Sequence, residues 1–111
     1  MSARRALLPF AIATVLLAGP LRAEDAGKAS YTKHCASCHG ADGGGSAQKA
    51  TLLKLDPKLL DLRRSESASA TPAELREIVV AGKNKMPAYG KKLPAAEIDA
   101  LMAYVEKLRH P

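Results

Sequence analysis

A chain of 111 residues with a formal charge of +6 looks strongly basic, but the excess is concentrated at one end. Residues 1–23 hold Arg4, Arg5 and Arg22 and no acidic residue, so residues 24–111 carry 14 basic against 11 acidic side chains, or +3. That modest balance, with no aromatic residues interleaved among the basic ones, argues against nucleic-acid binding. A segment of this length allows one domain with a small core of its own.

Arg4 and Arg5 form a basic start, and Ala6 to Ala18 is an uncharged run of 13 residues. Gly19, Pro20 and Arg22 break it before Leu21-Arg22-Ala23. This is the pattern of a cleavable secretory signal over residues 1–23, leaving Glu24 as the new N-terminus. The run is short of the roughly 20 apolar residues that a bilayer span needs. An uncleaved anchor is the rival reading. Export to the periplasm is expected, with no stable membrane insertion after cleavage.

The first helix is expected from about Ala26 to Ser37, delivering Cys35-Ala36-Ser37-Cys38-His39 at its end. C-x-x-C-H is the attachment signature of a c-type haem. Two thiols at this spacing can add across neighbouring porphyrin vinyl groups, and the histidine is then held against the iron. Cys35 and Cys38 are the only cysteines. In an oxidising compartment they could instead form a disulfide or a redox-active dithiol. Zinc is a further rival, although adjacent residues cannot easily close a tetrahedron. The histidine directly after the second cysteine favours haem, which would also supply core volume to a small domain.

Gly40 and Gly43-Gly44-Gly45 stop the first helix. This glycine run lacks the Lys-Ser/Thr ending of a phosphate loop and reads as a turn beside the cofactor. Leu52, Leu53, Leu55, Leu59, Leu60 and Leu62 alternate with Lys and Asp around Pro57, which fits one or two helical turns lining a pocket. Arg63 to Ala70 is small and polar, and an exposed loop is expected there. Thr71-Pro72-Ala73-Glu74 has the form of a capping box with Pro at the first helical position. Leu75, Ile78 and Val79 continue it as an apolar face that Gly82 ends. The last helix runs from Pro94 or Ala95 to Leu108, with Ile98, Leu101, Met102, Val105 and Leu108 on one stripe. No strand or repeat is expected.

An iron bound by His39 alone would be open on its other face, and methionine is a common soft partner that raises the potential. Met102 sits on the apolar stripe and reads as core. Met86 lies between Gly82 and Gly90 and beside Pro87, in a constrained loop, and is the better ligand candidate; covering a hydrophobic surface is its alternative role. His34 is expected to face solvent, with a ligand role as its alternative, and His110 is in the terminal tail. Tyr89 could bond a haem propionate or be a surface ring. Glu74 with Glu77 reads as a capping and surface pair.

Residues 24–111 resemble a small class I cytochrome c of the bacterial periplasmic type. Gly27 and Tyr31 match small and aromatic positions of that family's first helix, Cys35, Cys38 and His39 its attachment motif, and Lys85-Met86-Pro87-Ala88-Tyr89 its distal loop. Glu97 to Leu101 and Ala103-Tyr104-Val105 match the closing helix. The resemblance implies an all-α cytochrome c fold, three main helices plus short turns around one covalent haem c. It also implies thioethers at Cys35 and Cys38, His39 and Met86 as axial ligands of the haem iron, and a first and last helix crossing closely at Gly27. A Ser or Asp cap often found at the last helix is missing before Pro94.

The implied function is that of a one-electron carrier between exported or membrane-bound redox proteins, not an enzyme. Lys33, Lys83, Lys85, Lys91 and Lys92 would steer it to acidic patches on its partners. A monomer is expected. The alternatives are a haem subunit docked to a dehydrogenase or oxidase, and a ligand-binding or peroxidatic haem protein with Met86 displaced.

Overall fold

The structure, a computed structural model, describes residues 2–3, 6–14 and 22–111. Within the expected signal segment, Arg4, Arg5 and residues 15–21 lie outside the described residues. Residues 6–14 form no regular element, and Leu7, Leu8, Phe10 and Ile12 are exposed.

The described elements are α1 (Ala23–His34), α2 (Ala36–His39), α3 (Ala47–Leu53), a 3-10 turn (Pro57–Leu60), α4 (Ser65–Ser69), α5 (Pro72–Ala81) and α6 (Ala95–Arg109). No strand occurs among the described residues; one isolated bridge pairs Lys83 with Met86. The all-helical expectation holds, with α1, α5 and α6 as the main helices.

Helix α1 starts earlier than the expected Ala26 and stops at His34. Glu24 and Asp25 in its first turn, and Lys33 and His34 in its last, complement the helix dipole. Cys35 is the break. Its carbonyl accepts from the amides of Cys38 (3.2 Å) and His39 (3.0 Å), so the second thiol and the histidine ride on the separate turn α2.

Helices α1 and α6 cross at Gly27, where an added Cβ would lie 2.2 Å from the Ala100 carbonyl oxygen. Only glycine permits that approach. Around the crossing, the Tyr31 and Tyr104 rings are 5.4 Å apart and Ser30 Oγ donates to Glu97 at 2.6 Å. Lys107 also pairs with Glu24.

Helix α6 has no side-chain cap. The Pro94 carbonyl accepts from the amides of Glu97 and Ile98 at 3.0 and 3.1 Å, and Glu97 sits at the positive end of the helix. The start at Ala95 therefore does not need the missing Ser or Asp. In α5 the capping box is complete: Glu74 N donates to Thr71 Oγ1 at 3.2 Å, and Thr71 N to Glu74 Oε2 at 2.8 Å.

The segment Arg63 to Ala70 differs from the expected exposed loop, because Ser65–Ser69 is helical and Ala70 packs against the core. Tertiary support is the reason. Arg109, buried at the end of α6, donates from Nη1 to the Ser67 carbonyl. The core itself gathers Tyr31, Leu62, Leu75, Val79, Leu93, Ile98, Leu101, Met102 and Val105.

Candidate functional site

One cavity of about 850 Å³ opens between these elements. Cys35, Cys38 and His39 reach it from the α1–α2 turn, and Leu53, Leu55, Leu59 and Leu60 from α3 and the segment after it. Glu66, Ser67, Ser69 and Ala70 line it from α4, Leu75, Ile78 and Val79 from α5, and Met86 from the loop after α5. Leu101, Met102 and Val105 of α6 complete it. The size lies within the range of cofactor pockets, about 300–1,000 Å³. Of the leucine segment expected to line a pocket, Leu53, Leu55, Leu59, Leu60 and Leu62 do so, whereas Leu52 is exposed to solvent.

His39 Nδ1 lies 3.0 Å from the Leu60 carbonyl oxygen. A carbonyl only accepts, so Nδ1 carries the proton and Nε2 keeps its lone pair. Burial lowers the His39 pKa, and the Leu60 hydrogen bond works the other way. A neutral imidazole with a fixed tautomer is the form that ligates a metal.

The two thiols are not joined to each other. Burial, helped by the neighbouring Cys38, pushes Cys35 up to about 11, so at neutral pH it is a thiol. A redox-active dithiol needs a depressed pKa, and Cys35 is shifted the other way. Among the described residues, no group of three or more His, Cys, Asp or Glu side chains is arranged to hold a metal ion.

Met86 is fixed by its backbone. Lys83 N donates to the Met86 carbonyl at 3.1 Å, and Met86 N to the Lys83 carbonyl at 2.9 Å, closing a tight turn over Asn84 and Lys85. Asn84 takes the left-handed conformation at φ +52°, which asparagine tolerates. Gly82, at φ +76°, leaves no room for a side chain: a Cβ would come within 2.9 Å of the Met86 carbonyl oxygen. Lys85 Nζ donates to the Leu53 carbonyl and ties this loop to α3.

Met102 is core, as expected, but it also lines the cavity, so both methionines reach the same space. His34 is half-buried rather than turned to solvent, with its ring edge-on to Tyr89 at 5.5 Å. Tyr89 Oη donates to the His34 carbonyl at 3.1 Å, which commits its proton to the protein. His110 is exposed at the chain end, and Glu77 is exposed at the cavity rim. Lys33, Lys83, Lys85, Lys91 and Lys92 are all exposed.

Sequence reasoning missed three contributions. Leu60 acts through its carbonyl, which no side-chain pattern reports. Tyr31, expected as an aromatic of the first helix, has a role the sequence does not report: 1% exposed, it donates to the Gly40 carbonyl at 2.6 Å and holds the turn behind the thiols. Arg109 is buried, a rare position for a charge and one that its place near the C-terminus conceals.

These features fit haem c: a soft sulfur and nitrogen donor set, two unpaired thiols, and a large, mainly apolar cleft. Residues 22–105 match the family described as cytochrome c oxidase, cbb3-type, subunit III. Cytochrome c6 of Aphanizomenon flos-aquae is 37% identical over 79 residues, covering 71% of this chain and 83% of that protein. An all-helical domain built around a Cys-x-x-Cys-His turn, matched by these proteins over most of its length, belongs to the small class I monohaem cytochromes c, haem electron carriers that hold haem c covalently.

Proposed function

We propose that Cys35 and Cys38 bind the haem as thioethers, that His39 and Met86 are its axial ligands, and that the protein shuttles single electrons between exported or membrane-bound redox proteins. The observation that supports this reading most is the 3.0 Å contact from His39 Nδ1 to the Leu60 carbonyl, which leaves His39 Nε2 free to coordinate. Bound haem supplies a ferric/ferrous couple. The chain's own residues tune it. Leu60 orients the imidazole, and the Lys83–Met86 turn fixes the backbone from which the Met86 side chain reaches the cavity. The apolar wall excludes water, and burial with a methionine sulfur favours the less charged reduced iron, so a positive potential is expected.

Residues 1–23 act as a secretory signal in this reading, and the mature protein is a periplasmic monomer starting at Glu24 and serving a respiratory chain. Among the described residues no helix is long and apolar enough to cross a membrane. Exposed lysines beside the cavity mouth attract acidic patches on the partners.

The family description, a subunit of a cbb3-type oxidase, favours a second reading in which this domain stays docked to a larger redox enzyme. Purification from a native membrane extract separates the two: a carrier elutes free, and a subunit elutes with its enzyme.

The absorption spectrum of the exported protein in both oxidation states tests the site. Haem bands with the weak long-wavelength band of methionine-bound ferric iron are expected. Haem without that band would remove Met86 as ligand, and retention of covalent haem after Cys35→Ala with Cys38→Ala would remove the thioethers.

A further inference from the structure

Arg109 is the only charged residue among the described residues to be buried, at 4% exposure. Its guanidinium makes two contacts in different directions. Nε donates to Glu106 Oε1 at 2.8 Å within α6, and Nη1 donates to the Ser67 carbonyl in α4. Helix α4 has five residues and no side-chain cap at Arg64. Such a segment does not hold a helical turn by itself. It nevertheless supplies Glu66, Ser67 and Ser69 to the cavity wall, followed directly by Ala70.

We propose that Arg109 is a positioning residue for electron transfer: it pins α4 as a wall of the haem cavity and so limits how far water reaches the cofactor. The inference rests on haem occupying that cavity, not on which methionine ligates it. The physical coupling is direct. If α4 moves away, a buried guanidinium N–H loses its acceptor, which is costly for a charged donor. Glu106 balances the charge and aims the guanidinium, and the Ser67 carbonyl takes the remaining bond. Lysine reproduces this poorly, since its three ammonium donors sit at a single point on a flexible stem and lack the rigid planar fork that holds both partners in fixed directions. A loosened α4 admits water beside the haem, and water stabilises the more charged ferric state, so the potential falls.

A rival account needs no pinning: a buried positive charge near the iron would raise the potential through its field alone. Arg109→Met and Arg109→Lys in the full-length, haem-loaded protein separate the two. Hydrogen exchange of the Ala70 amide, which donates to the Glu66 carbonyl at 3.0 Å across α4, reports local opening. The potential is read on the same samples, under conditions where each variant is folded.

Both variants should exchange at Ala70 faster than the native protein, by roughly tenfold or more for Arg109→Met. Both should show a lowered potential, with lysine giving the smaller drop. A native exchange rate at Ala70 in Arg109→Met would overturn the proposal, and so would complete recovery of the potential by Arg109→Lys. If Arg109→Met does not fold, Arg109→Lys decides alone: faster exchange with a lower potential supports pinning, and native values of either overturn it. Absence of the methionine band in the native protein would count against Met86 and leave the Arg109 test standing.

Discussion

His39 and Leu60 are 21 positions apart, and the bond between them decides which imidazole nitrogen is available. The residue type at 39 was legible because C-x-x-C-H is contiguous; its tautomer was not, because the partner is a backbone carbonyl from a distant turn. The two methionines pose the sharper question, since both reach the cavity. Met86→Ala should lower the potential and open the iron to carbon monoxide, as read by redox titration and the ferrous–CO spectrum. Met102→Ala should keep the methionine band and cost about 2–5 kcal/mol of stability, as expected for emptying a buried site. If Met102→Ala opened the iron and Met86→Ala did not, the ligand role would pass to α6.

At the level of elements, local chemistry wrote α5 and α6 into the sequence, while tertiary contacts wrote α4. Thr71 and Glu74 cap each other within four residues, so Thr71→Ala should cost about 0.5–2 kcal/mol in denaturant unfolding, chiefly by freeing the α5 end. The stop of α1 at His34 was misjudged from sequence because nothing in Ala-Ser-Cys-His forbids helix; the carbonyl of Cys35 diverts the next bonds into α2. Helix α4 was invisible for a different reason: its support comes from Arg109, 42 positions beyond Ser67. The α1–α6 crossing depends on a missing side chain. Gly27→Ala should therefore force the helices apart, at a cost of about 1–3 kcal/mol or more, typical of overpacking. The denaturation midpoint measures it, and an unchanged midpoint would mean that the crossing yields without strain.

The charge of the whole molecule misleads until it is divided by position. Three of the 17 basic residues fall within residues 1–23, and the lysines proposed for docking are those beside the cavity. Lys83 lines it, and Lys92 Nζ stands 5.6 Å from the ring centroid of Tyr89, which also lines it. Lys85 is set apart because its ammonium is engaged by the Leu53 carbonyl. Lys107 pairs with Glu24 at the α1–α6 crossing and does not line the cavity. Salt at about 0.1 M screens exposed charges beyond roughly 10 Å, so electron transfer to an acidic redox partner should slow as ionic strength rises. Stopped-flow rates with Lys83→Glu plus Lys92→Glu should be lower at low salt and flatter against ionic strength, while Lys107→Gln should keep the native slope. Equal slopes in both variants would mean that the lysines form a solvated face, and that partners recognise this domain through another surface.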